Sequence, residues 1–112
     1  MQYALLIYGS GDGWEKLSDE ERETQMHEYM ALSQSSETRG GADLGELSSA
    51  TTVRVNGTET VTTDGPFAET KEYLGGFYLV ECDTIDEAIA FAAKIPAART
   101  GGAIEVRPVV EH

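Results

Sequence analysis

The chain has 112 residues, 20 of them acidic and 8 basic, for a formal net charge of −12 at neutral pH. That balance repels phosphate backbones and anionic head groups, and it argues against direct contact with nucleic acid or a membrane surface. The length suits one domain over residues 1–112 with a core of its own; one cysteine, Cys82, excludes an internal disulfide or a thiolate cluster, and the lack of a leader-like or spanning apolar run predicts a cytoplasmic protein.

Residues 3–8, YALLIY, are apolar at every position, which in so short a run predicts a strand covered on both faces. The following GSGDG lacks the G-x-G-x-x-G spacing of a dinucleotide turn and contains an acid, so it reads as a loop pinned by Trp14. Ser18 with Glu21 three residues on forms a capping box and starts a helix, with Met26, Tyr29, Met30 and Ser33 as its apolar stripe. Arg39-Gly40-Gly41 reads as its stop and residues 41–50 as a link. Two short β-branched runs, residues 51–55 and 58–62, flank Asn56-Gly57, a hairpin signal that sets Val55 opposite Thr58 and Arg54 opposite Glu59.

Residues 64–76, DGPFAETKEYLGG, stack three turn formers, then charges around Lys71, then a glycine pair that implies a bulge or close backbone approach. This is a shaped surface loop, the kind of segment that carries function when a rigid scaffold positions it. Residues 76–80 read as a central strand, and Thr84 with Glu87 caps a second helix whose stripe is Ile85, Ala88, Ile89, Ala92 and Ile95, ended by Pro96. Residues 103–110 form the last strand, with Pro108 marking an edge. The order is β-α-β-β-α-β with an inserted hairpin, an α+β ferredoxin-like arrangement. Two helices cover one sheet face, yet the first and central strands are apolar in both directions, which predicts a homodimer made by sheet-face contact.

Residues 64–72 spell DGPFAETKE, the signature of the DGPFAETKE family, a branch of the YCII-related proteins. MQYALLIYG, LSDEER, TTVRV, LGGFYLVE, DEAIAFAAKIPAAR and EVRPV also resemble that family, so the likeness covers nearly the whole chain. The resemblance implies a ferredoxin-like fold, dimeric as an α/β barrel, with no settled activity. It further implies an association with sigma factors of the extracytoplasmic-function type, beside which members are often encoded, and a His–Asp pair suspected in wider relatives.

On that pattern the candidate catalytic residues are His27 and Asp64, as general acid and base. Lys71 and Arg107 are the candidates to orient a polar or anionic group of a small-molecule ligand, and Tyr78 offers a hydroxyl. Each also has a structural explanation: Asp64 as a turn former, Lys71 and Arg107 in ion pairs with Glu69, Glu72 or Glu105, Tyr78 in packing. No ligand spacing for a metal and no cofactor motif is present, and Cys82 reads as a small buried hydrophobe. Two readings follow: a small-molecule enzyme with its cleft at the rim of a dimeric barrel, or a non-enzymatic ligand-binding or accessory protein.

Overall fold

A computed structural model describes residues 1–10, 13–68 and 70–112. Six strands and two helices follow in the order β1 (Gln2–Gly9), α1 (Asp19–Ser33), β2 (Thr38–Asp43), β3 (Thr51–Asn56), β4 (Glu59–Asp64), β5 (Tyr73–Glu81), α2 (Ile85–Ala93) and β6 (Ala103–Pro108). β2, β5, β1 and β6 form one antiparallel sheet in that order, while β3 and β4 form a separate two-stranded arm. With the arm set aside, the topology is β-α-β-β-α-β and compatible with a ferredoxin-like fold. No helix among the described residues is long and apolar enough to cross a membrane.

The pleat sorts the sheet's side chains into two faces. Tyr3, Leu5, Tyr78 and Val80 are buried and meet Leu32 of α1 and Ala88, Phe91 and Ala92 of α2, with Ile7, Tyr29, Ile104 and Val106 packed around them. Both helices therefore lie on one side. Ala4, Leu6, Tyr8, Phe77 and Leu79 point the other way and remain partly exposed, in register with Glu105 and Arg107 on β6. Between Ile7 and Tyr8 the register with β5 shifts, placing a bulge at the glycine pair as its composition suggests.

Helix α1 starts with the expected capping box: the Glu21 backbone N–H donates to Ser18 Oγ at 3.1 Å and the Ser18 N–H to the Glu21 carboxylate at 3.0 Å. Hydrogen bonding by the Ser18 backbone N–H, and then by its side chain, holds the Glu21 carboxyl below its ordinary pKa. Of the expected stripe only Tyr29 turns inward, half-buried between the buried Gln25 and Leu32, whereas Met26, Met30 and Ser33 are exposed. A spacing of four and three selects either set, and the sheet takes the one holding a Leu at the sheet side. In α2 likewise Ala88, Phe91 and Ala92 are buried, as is Ile95 just beyond it, while Ile85 and Ile89 are exposed. Pro96 opens a short 3-10 turn, Pro96–Ala98.

Two other expectations are corrected. Arg39-Gly40-Gly41 does not end α1, which stops at Ser33; those residues belong to β2, an edge strand hidden by the weak β-propensity of its glycines. The hairpin turn is Gly57-Thr58, since Asn56 pairs with Glu59, Val55 with Thr60 and Arg54 with Val61. Gly57 takes φ +66° as first central residue, so only a glycine adopts positive φ; a turn centred on Asn56-Gly57 needs it at both. Arg54 therefore does not face Glu59 and instead lies over the Phe67 ring, 5.0 Å from its centroid.

Candidate functional site

One of two concavities among the described residues lies where the loop after β1 meets α1 and the segment before β6. Gly9, Ser10, Gly13, Trp14, Leu17, Gln25, Tyr29, Ala97, Thr100 and Gly102 line a cleft of about 130 Å³. Its loop wall is held by Arg22, which donates through Nε to the Trp14 carbonyl at 3.0 Å and through a terminal nitrogen to the Glu15 carbonyl at 2.8 Å. Gly13 and Leu17 close two turns of the loop by donating to the carbonyls of Ser10 and Trp14, both at 3.2 Å. On the opposite wall the Gly102 N–H donates to the Ala97 carbonyl at 2.9 Å, and a β-carbon at Gly102 would lie 2.3 Å from the Tyr8 carbonyl oxygen. The GSGDG run contributes Ser10 and Gly13 to this cleft; Gly11 and Asp12 lie outside the described residues.

Gln25 is the unusual member. It is 8% exposed, it lines the cleft, and its amide has no hydrogen-bond partner among the described residues, although neither polar atom is fully sealed. Buried amides are normally paired, because an unmade bond costs about 1–3 kcal/mol. Beside it Tyr29 is partly buried, and that burial, opposed by the Ala97 backbone, raises its phenol pKa above the ordinary value. Thr100 uses its hydroxyl to donate to the Pro96 carbonyl at 3.1 Å. No described lining residue carries a charge, so the cleft presents amide, hydroxyl and indole groups in an otherwise strongly acidic protein.

The residues singled out from the sequence lie elsewhere. His27 sits on the outer side of α1, 75% exposed, with Nε2 3.9 Å from the Glu23 carboxylate. Asp64 ends β4, paired with Thr51 and exposed, beside Gly65 at φ +104°. The turn there is firmly seated, the Gly65 N–H donating to the Ala50 carbonyl at 2.7 Å and the Thr52 hydroxyl to the Gly65 carbonyl at 2.9 Å. Lys71 is exposed in the bend before β5, and its expected partner Glu69 lies outside the described residues. Arg107 is exposed on the open sheet face opposite Ala4. Tyr78 is buried, its ring edge-on to Phe91 at 6.0 Å and its hydroxyl donating to the Tyr29 carbonyl at 3.0 Å.

A second concavity, between α2 and the Ser35–Glu37 region, borders the buried Cys82. Burial, and then the Glu87 and Glu37 carboxylates, raise the thiol pKa, so it is not an activated nucleophile. No group of His, Cys, Asp or Glu with metal-holding geometry occurs among the described residues. Gln25 and Arg22 escaped the sequence reading; the available signal was that Gln25, Tyr29 and Leu32 share a helix face with a polar residue at its head.

Comparison with known proteins places these features in context. The YCII-related domain model matches residues 1–112. A relative from Rhizobium meliloti (strain 1021), named only as uncharacterized protein R00369, is 40% identical over 114 residues, covering 97% of this chain and 92% of the relative.

Proposed function

From the premise that the chain belongs to the YCII-related family, we propose that the protein binds a small, uncharged polar molecule in the cleft between the loop after β1, α1 and Gly102. The observation that carries this reading is Gln25, a largely buried side chain at the wall of a preformed cleft whose amide takes no protein partner among the described residues and keeps access to the cleft. An amide in that position is free to hydrogen-bond a molecule that enters the cleft. A cavity of roughly 150 Å³ is known to hold a six-membered ring, so a cleft of about 130 Å³ suits a ligand of similar size. Uncharged walls favour a neutral ligand with an amide, hydroxyl or carbonyl to meet Gln25, and an apolar part to lie against Trp14 and Leu17. A metabolite library screened by thermal shift against the wild type and Gln25→Met tests this. A neutral compound that stabilises the first and not the second supports the reading; a compound that stabilises both equally places the ligand elsewhere and refutes it.

The catalytic version assigns Asp64 and His27 as acid and base, with Lys71 or Arg107 orienting a polar group and Tyr78 lending its hydroxyl. Its support is the rigid seat of Asp64 at the base of the arm. His27, on the outer side of α1, would then act on a substrate held outside the cleft. Loss of turnover of an identified substrate in both His27→Ala and Asp64→Asn, with the fold unchanged, supports this version, and full turnover in either ends it. The accessory version, association with an extracytoplasmic-function sigma factor, draws on the net charge of −12, which would attract a basic partner. Its signature is co-purification that fails as salt is raised; failure to co-purify at low ionic strength removes it.

A further inference from the structure

Several of the hydrogen-bonding groups around the cleft are already in use. The Gly13 and Leu17 N–H groups donate to the Ser10 and Trp14 carbonyls, the Gly102 N–H to the Ala97 carbonyl, and the Thr100 hydroxyl to the Pro96 carbonyl. Gln25 differs. It is 8% exposed, lines the cleft, and makes no hydrogen bond with any described residue. A carboxamide carries an acceptor oxygen and N–H donors, so one edge of it offers a donor and an acceptor side by side. A group that answers both at once must hold a C=O and an N–H on the same side of one bond.

Few neutral molecules do so. An open-chain secondary amide is trans, with its C=O and N–H pointing opposite ways, and its cis form is strongly disfavoured. A six-membered ring removes the choice, because a lactam of that size holds its amide cis. A primary amide shares the edge but adds a second N–H to satisfy and a freely turning bond to immobilise, both of which weaken binding. A carboxylic acid would be ionised, and no described lining residue carries a charge to meet it in a protein of net charge −12. Size points the same way, since a cleft of about 130 Å³ suits a single six-membered ring.

We infer, resting on the reading of this cleft as a binding site, that its ligand is a monocyclic lactam. The cis amide of the ring pairs edge to edge with the Gln25 carboxamide, and its carbon side lies against Trp14 and Leu17. Glutamine side chains read the edge of a nucleobase by the same paired bonds. Gln25 is then the residue that sets specificity, and the ring N–H is the group it selects. A ring that keeps the carbonyl but lacks the N–H leaves the Gln25 oxygen without its partner.

Trp14 is the only tryptophan of the chain, so its fluorescence reports occupancy of the cleft. Titration of the full chain with δ-valerolactam, cyclohexanone and N-methylbutyramide separates the requirements. Cyclohexanone has the ring and the carbonyl without the N–H, and N-methylbutyramide has as many heavy atoms as the lactam but a trans amide. The expected result is a saturable response to δ-valerolactam, with the other two at least tenfold weaker. In Gln25→Met, with unchanged circular dichroism, the preference for the lactam over cyclohexanone should disappear. Equal binding of cyclohexanone or N-methylbutyramide that still depends on Gln25 overturns the lactam inference and leaves the broader reading of the cleft standing. A lactam preference that survives Gln25→Met overturns the edge pairing. A lactam that binds without moving Trp14 fluorescence or the Gln25 side-chain amide resonance overturns the inference and the cleft reading together. No response to δ-valerolactam at any concentration the fold tolerates overturns the inference, while a Gln25-dependent ligand of another class from the metabolite screen would keep the cleft.

Discussion

Replacing Gln25 by methionine should make the protein more stable. The side chain is 8% exposed and its amide is unpaired among the described residues. Methionine has nearly the same length and helix propensity, so shape and backbone preference barely change. What changes is the cost of holding an unsatisfied amide out of water, about 1–3 kcal/mol when fully sealed. Since the amide of Gln25 borders an open cleft and is not sealed from water, the gain is at most about 1 kcal/mol. That corresponds to a rise in melting temperature of at most roughly 4 °C for a domain of this size. Urea titration at low and high protein concentration is the assay, with the midpoint moving up and the slope unchanged. A destabilisation of about 1 kcal/mol or more would mean that the native fold depends on the amide, and the reasoning from Gln25 to a ligand would fail. A gain in stability together with lost ligand binding is the pattern of a residue kept for function.

Tyr78→Phe should cost only about 0.5–1.5 kcal/mol by urea titration, because the Tyr29 carbonyl keeps the Ser33 hydroxyl as a donor at 3.0 Å. Ligand affinity should not change with it; a large loss of affinity at constant stability would put the hydroxyl in the cleft. Ser18→Ala removes the N-cap of α1 and should destabilise by about 1 kcal/mol, visible as a lower urea midpoint, and an unchanged midpoint would refute the cap's role. Cys82 should resist thiol reagents in the native protein and react on unfolding. Its raised pKa means that the folded state keeps a proton the unfolded chain loses. The associated stability is full below the unfolded thiol's value, about 8.5, and is lost as pH rises through the folded value. Cys82→Ala should therefore show a flatter decline in stability above that pH than the wild type, and parallel curves would contradict it.

The elements legible in the sequence were those where local chemistry and tertiary context agree. The Ser18–Glu21 capping box, the apolar β1 and β5, and the glycine-pair bulge need no partner to be recognised. β2 was hidden because strand propensity describes side chains packing on a pleated surface, and its glycines have none to pack. The hairpin shifted by one residue because Asn56-Gly57 satisfies more than one turn geometry, and the ladder beyond chose the one in which glycine alone takes positive φ. The face of α1 was read correctly at Tyr29 and wrongly at Met26 and Met30, which lose to Leu32, since the sheet decides which residues it covers. The cleft was harder still. It is built from Arg22, Gln25, Thr100 and Gly102, residues with no shared motif, brought together because β1 ends and β6 begins at the same end of the sheet. The DGPFAETKE run drew attention to Asp64 and Lys71 by its composition, yet composition does not say which way a loop's side chains face.

The most direct test of the central claim is amide chemical-shift mapping of the isotope-labelled protein with a neutral compound selected by the thermal-shift screen. The perturbed resonances should be the Trp14 indole N–H, the Gln25 side-chain amide, and the backbone of Gly13, Thr100 and Gly102. Perturbations confined to the loop around Asp64 and Lys71, or to His27, with the cleft resonances unmoved, would contradict it.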